Sequence, residues 1–213
     1  MTDYFTQMRE RESDPVCQAE KALREAERRC EWLEKSIQEA VALRYRQARL
    51  GDLNGYPEIS EWALRPEGFL ILTGPVGTGK THAGWATLVE SLIQAERMRD
   101  GEDLVMGIEV LDLLENMMPS NTAYKGPDWW ASHTKKVPLL LLDDLGRHKP
   151  TEWKDEQIFA LVNTRYRDQL PTIVTTNILP ADFKAKFGDA IASRMAEECT
   201  LVVMAGKDRR RSV

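Results

Sequence analysis

The chain has 213 residues, 42% of them hydrophobic and 30% charged, with a formal net charge of −5. That length accommodates one good-sized core with residues to spare; the mild acidity argues against a protein that holds nucleic acid by bulk charge, and no apolar run is long enough to span a bilayer. Cys17, Cys30 and Cys199 are too few and too scattered for a disulfide framework or a closed four-ligand metal site, and with an amino terminus that lacks a signal-peptide core they point to a cytoplasmic protein.

In chain order, Asp14-Pro15 reads as a helix start, with Asp as N-cap and Pro at the first helical position. A helical pattern runs from there to about Arg46. Val16, Leu23, Cys30 and Ile37 recur every seven residues, with Ala19, Ala26, Leu33 and Ala40 three later. That is an a/d seam over about four heptads. The stripe has two readings: a helix docked on its own domain, or a coiled coil or docking helix for a partner. Three of the four d positions are alanine, which disfavours a self-sufficient homodimeric coil. Leu23, Leu33 and Ile37 are the candidate anchors.

From Phe69 strands and helices alternate. "FLILT" (69–73) is a strand, followed by a Gly-rich loop and a helix to about Arg97. "LVMGIEV" (104–110) is a second strand with a helix through 111–118. "VPLLLLDDLG" (137–146) is a buried strand ending in two acids. A helix over 151–169 puts Ile158, Leu161, Val162 and Tyr166 on one side. "PTIVTTN" (171–177) is the fourth strand, short helices follow around 180–187 and 189–196, and "TLVVMA" (200–205) is the fifth strand. Such alternation predicts an α/β fold with a five-stranded parallel sheet between helices, whose ligands bind beyond the carboxyl ends of the strands. The division expected is an N-terminal helical extension over 1–46 and a core over 47–213.

The chemistry concentrates at those strand ends. Gly74-Pro75-Val76-Gly77-Thr78-Gly79-Lys80-Thr81 matches G-x-x-x-x-G-K-[ST] between a strand and a helix. In such a loop backbone N–H groups and the helix N-terminus face phosphate oxygens. Lys80 adds a point charge, and Thr81 offers a hydroxyl to Mg²⁺. Asp143 suits a Mg²⁺-bound water and Asp144 suits polarising the attacking water. Asn177, after the fourth strand, is either a turn residue or a group that feels the γ-phosphate. Arg194 is one surface arginine on a helix, or a finger reaching a neighbour's γ-phosphate. Trp129 and Trp130 could stack on bases, with Lys135 and Lys136 on phosphates; paired tryptophans are more often packing residues. Basic clusters at 134–136, 146–149 and 207–211 read as solvated surface when each is taken alone.

From about Ile37 to Val213 the chain resembles the AAA+ ATPases of the DnaC/DnaI helicase-loader group, which includes the IstB transposition helpers. The resemblance rests on "LRYRQARLGDL" (43–53), "GPVGTGKTH" (74–82), "PLLLLDDLG" (138–146), "TEWKDEQIFALVNTRY" (151–166), "LPTIVTTN" (170–177) and "IASRM" (191–195). It implies a P-loop NTPase fold of AAA+ type, an ATP site that takes in His82, a sensor at Asn177, an arginine finger at Arg194 and a terminal nucleotide-facing arginine at Arg210. It also implies Mg²⁺ as cofactor, homo-oligomers sharing ATP sites, single-stranded DNA and a hexameric replicative helicase as partners, and no membrane. Three departures stand out. The second Walker-B acid is Asp144, where the wider AAA+ class has Glu. The chain stops soon after the fifth strand, so no full lid domain is expected. The N-terminal part is shorter than the group's usual partner-binding domain. The function expected is an ATP-dependent replication protein of the loader kind. The rivals are an IstB-like transposition helper acting on duplex DNA, an ATP-gated adaptor with little turnover, and a small-molecule P-loop kinase, for which no arginine-rich lid is in sight.

Overall fold

The computed structural model of the chain describes residues 15–53, 55–95, 105–123, 125–197 and 199–206. Helix α1 spans Pro15–Ala40, and α2 spans Pro57–Leu64 after two short 3₁₀ turns at Leu43–Tyr45 and Leu50–Asp52. Strand β1 (Phe69–Thr73) leads into α3 (Lys80–Ala95), and β2 (Val105–Glu109) into α4 (Val110–Asn116) and α5 (Pro127–Lys136). Next come β3 (Leu139–Leu145), α6 (Glu152–Arg167), β4 (Thr172–Thr176), α7 (Phe183–Glu197) and β5 (Cys199–Val203). The five strands are all parallel in the order β2-β3-β4-β1-β5.

Both faces of the sheet are covered, which is why its central strands read as unbroken apolar runs. Alternation along β1 sends Leu70 and Leu72 to one face and Phe69 and Ile71 to the other. Leu70 and Leu72 pack with Leu141 and Ile173 against Ala83, Ala86, Leu88 and Val89 of α3, and beneath them lie Ile59 and Trp62 of α2. Phe69 and Ile71 pack with Leu140, Leu142 and Val174 against α4, α6 and α7. Close approach of α3 to β2 requires Gly107, where a Cβ would stand 2.3 Å from the Trp85 ring.

Three departures from the sequence reading have physical causes. Helix α1 stops at Ala40, because Val41 turns into the core (2% exposed) and Arg46 folds back to donate to the carbonyls of Val41 (3.2 Å) and Gln38 (2.6 Å), satisfying the helix end from beyond it. Its Asp14 cap lies outside the described residues. Helix α2 was not anticipated; Pro57 at its first turn and buried Ile59, Trp62 and Ala63 at helical spacing mark it. Gly188 (φ 79°, ψ 163°) kinks α7, dividing it where two short helices were expected.

The stripe of α1 is shared between two environments. Trp32, Leu33, Ile37 and Ala40 are partly buried against the core, whereas Val16 and Leu23 are 65% and 61% exposed. Leu33 and Ile37, candidate anchors for a partner, are thus packed on the chain's own core, and of the three only Leu23 stands clear.

Arg165 is the largest fully buried side chain. It lies on the core side of α6, one turn beyond Leu161, and its guanidinium donates to Thr172 Oγ1 (2.7 Å) and to the carbonyls of Thr134 (3.0 Å), Val137 (2.9 Å) and Pro171 (2.7 Å). Burial pushes its pKa down to about 9. The side chain ties the end of α5 and the approaches to β3 and β4 into one unit, and so fixes the two strands that deliver acids and amide to the site.

Candidate nucleotide site

The carboxyl ends of β3, β4 and β1, three neighbours in the sheet, open on one cavity of about 690 Å³. Its lining includes Gly77, Gly79, Lys80, Thr81 and His82 from the loop and start of α3, Asp144 near the end of β3 and Arg147 just after it, Asn177 after β4, and Arg44, Tyr45 and Asp52 from the approach to α2.

Strand β1 is buried along its length, so Gly74 enters the loop at a fixed point. Gly74 takes φ 138°, and a Cβ there would meet the Met204 carbonyl oxygen at 2.2 Å; only glycine fits. The loop is held from within. Lys80, 6% exposed, donates to the carbonyls of Gly74 (2.8 Å) and Pro75 (2.7 Å), and Thr78 donates to Pro75 O (3.0 Å). Val76 is 61% exposed at the tip. His82 is hydrogen-bonded to Asp52 (3.2 Å), which joins the first turn of α3 to the 3₁₀ turn before α2. Tyr45 stacks on Trp85 with ring centroids 5.9 Å apart, so the "LRYRQ" segment forms a wall of the cavity.

The acids come from an irregularity in β3. Pairing with β4 shifts register between Leu142 and Leu145, and Asp144 takes φ 59°. Bulges re-aim side chains, and a non-glycine residue at positive φ is strain that concentrates at functional positions. Thr175 fastens the bulge: its hydroxyl donates to Asp143 Oδ1 (2.5 Å) and accepts from the Asp144 N–H (2.9 Å). Asp143 is 9% exposed. Burial is the main cause that pushes its carboxyl above the usual range, with the Asp144 charge adding to it, against opposing hydrogen bonds from Thr175 and Thr81. Asp144 is more open; its Oδ1 accepts from Asn177 Nδ2 (3.2 Å) and its Oδ2 from Arg147 (3.0 Å).

The donor set fits Mg²⁺-nucleotide. Thr81 and Asp143 offer one hydroxyl and one carboxylate, and the described residues hold no cluster of three His, Cys, Asp or Glu able to cage an ion by itself. That is the arrangement for a cation that keeps water and takes further ligands from phosphate.

Other candidates from the sequence lie elsewhere. Arg194 is outside this cavity; it donates to Ala190 O (2.9 Å) and lies over the rings of Phe159 (5.6 Å) and Tyr166 (5.9 Å). Arg210 lies outside the described residues. Trp129 has one face under Lys125 Nζ (3.9 Å) and stacks on His133 (4.3 Å), and Trp130 packs on the core of the α4–α6–α7 side. Both rings are half-buried, and stacking on bases is left as a proposal. Lys136 is exposed and Lys135 half-exposed at the end of α5. Sequence reasoning missed Thr175, Arg147, Glu109, Arg44 and Asp52. The doublet in "TTN" and the arginine three residues past Asp144 were the available signals.

A family model described as IstB-like ATP binding protein matches residues 59–212. The chain belongs to that family. It is 30% identical over 119 residues to the replicative helicase loader DnaI of Bacillus subtilis, a match covering 55% of this chain and 36% of that protein. It is 25% identical over 124 residues to a putative ATP-binding protein in an insertion sequence of Mycobacterium tuberculosis, covering 58% and 46%. The chain therefore spans less than half the length of these curated relatives. Among solved structures, the DnaC helicase loader superposes with a TM-score of 0.64 at 24% identity, covering 77% of this chain and all of that one, a likeness of fold. The fold is that of an AAA+ P-loop NTPase with helices preceding the core. Among the described residues no helix is long and apolar enough to cross a membrane.

Proposed function

We propose that the chain is an ATPase of the helicase-loader kind, acting in the cytoplasm. The observation that carries this is the meeting of Lys80, Thr81, Asp144 and Asn177 around one cavity at three adjacent strand ends, with Asp143 hydrogen-bonded to Thr81 and Thr175 behind them. Gly74 to His82 cradle the triphosphate, with Lys80 on the β- and γ-phosphates. Thr81 and Asp143 hold Mg²⁺, which when bound neutralises charge on the phosphates. Asp144 draws the proton from a water whose oxygen bonds to the γ-phosphorus as the bond to ADP breaks, and Asn177 orients Asp144 and that water. Arg210 is a further nucleotide-facing candidate.

Arg194 lies outside the chain's own cavity, which supports a homo-oligomer in which it reaches the next subunit's γ-phosphate. The exposed half of α1, with Val16 and Leu23, is the surface offered to a hexameric replicative helicase. Lys135 and Lys136 are offered to single-stranded DNA. The name of the family and the insertion-sequence relative favour a second reading, a transposition helper on duplex DNA.

Steady-state hydrolysis with single-stranded or duplex DNA added separates the two. Loader function predicts stimulation by single strands, and a transposition helper predicts stimulation by duplex alone. Arg194→Ala should bind ATP but lose stimulated turnover, and mixing it with Asp144→Asn should restore part of it. No rescue at any ratio would contradict the shared site.

A further inference from the structure

Arg147 faces the triphosphate cavity from the turn after β3, and neither the loop motif nor the Walker-B strand assigns it a task. That turn is tight: the Arg147 N–H donates to Asp144 O (3.3 Å), and Gly146 at φ 91° sits where a Cβ would strike Ile178 at 2.3 Å. The turn folds the guanidinium back over the acids. It pairs with Asp144 Oδ2 at 3.0 Å and Glu109 Oε1 at 3.7 Å. Glu109 ends β2 in register with Asp143, so two carboxylates, Asp144 and Glu109, meet at one arginine. Asp144, with Asn177 on its other oxygen, has both oxygens engaged. Yet Arg147 is 62% exposed on its side chain and lines the nucleotide cavity. It is long, exposed and within the cavity's own wall.

We propose that Arg147 is a γ-phosphate sensor acting within its own subunit: it exchanges its pairing with Asp144 and Glu109 for the γ-phosphate, and in doing so frees Asp144 Oδ2 for the attacking water. A γ-phosphate carries more charge than either carboxylate and matches the guanidinium fork. ADP presents no such group, so the carboxylates keep the arginine and Asp144 stays tied. The device makes this chain's site distinguish ATP from ADP without a lid. It rests on the ATP reading above, and concerns a residue separate from Arg194.

The test is calorimetric titration of the full chain with Mg²⁺ and either AMPPNP or ADP, for wild type, Arg147→Ala, Arg147→Lys, Glu109→Gln and the double variant Arg147→Ala/Glu109→Gln. Loss of one charged hydrogen-bonding partner predicts roughly tenfold weaker AMPPNP binding by Arg147→Ala with ADP binding unchanged. Arg147→Lys should fall between, since it keeps the charge and loses the fork. Glu109→Gln should tighten AMPPNP binding through its release of Arg147, and this gain should vanish in the double variant. A purely structural arginine would weaken both nucleotides alike, and that result overturns the proposal. So does an unchanged AMPPNP-to-ADP ratio, or a Glu109→Gln gain that persists without Arg147. Wild type that is folded yet binds neither nucleotide would instead remove the ATP reading itself, and this inference with it. Should Arg147→Ala fail to fold, the Lys and Glu109→Gln arms still decide.

Discussion

The nucleotide cavity and the amino-terminal helix α1 are both announced by regular sequence patterns, but they are held in opposite ways. At the cavity each acid is fastened from a neighbouring strand: Thr175 grips Asp143 and Asp144, and Arg165 locks the strands beneath. Along α1 a single stripe runs from packed Leu33 and Ile37 to exposed Leu23 and Val16, with nothing in the repeat to mark where the core ends. Buried strands position chemistry because their hydrogen-bonding partners are fixed by the sheet. A heptad stripe says only that something apolar belongs beside it.

The largest way to break this contrast is to remove the lock. Arg165→Ala leaves four acceptors and a cavity beneath β3 and β4 and should lower stability by roughly 3–5 kcal/mol, seen as a large fall in the thermal midpoint. Arg165→Lys should recover only part of it, because one ammonium cannot span all four acceptors.

Next come substitutions on α1 that divide its two halves. Ile37→Asp places a charge against the core and should cost about 2–3 kcal/mol. Leu23→Asp should change stability by no more than about 0.5 kcal/mol. Chemical denaturation of the two variants reads the boundary directly, and equal effects would erase it. Helicase capture lost by Leu23→Asp with the melting temperature unchanged would then assign the exposed half to a partner.

Legibility followed the same line. All five strands, the phosphate loop and the helices after Phe69 other than α5 could be read from sequence because parallel strands are apolar runs and the loop is a local motif. What could not be read depended on distant partners. The end of α1 is set by Arg46 reaching back to Gln38. The aim of Asp144 is set by a bulge whose fastening hydroxyl lies on β4. Arg147 looked like surface because its carboxylate partner Glu109 sits at the end of β2. The contacts of Trp129 with Lys125 and His133, and the packing of Trp130 on the core, are likewise invisible in the order of residues.

A smaller effect sharpens the cavity side. Thr175→Val keeps the shape and removes the hydroxyl that lowers the Asp143 pKa. Its loss moves that pKa further up, so a larger share of Asp143 is protonated at a given acidic pH. The acid limb of the turnover profile should therefore shift toward higher pH, with stability reduced by about 1–2 kcal/mol. A pH–rate profile that coincides with wild type would detach Thr175 from the site.

The most direct measurement compares nucleotide binding and γ-phosphate release by wild type, Lys80→Ala and Asp144→Asn, each purified and shown to be folded. The account predicts that wild type binds and hydrolyses ATP, that Lys80→Ala loses binding, and that Asp144→Asn binds ATP but loses turnover. Wild-type-like hydrolysis in either variant would contradict the chemistry assigned to these strand ends.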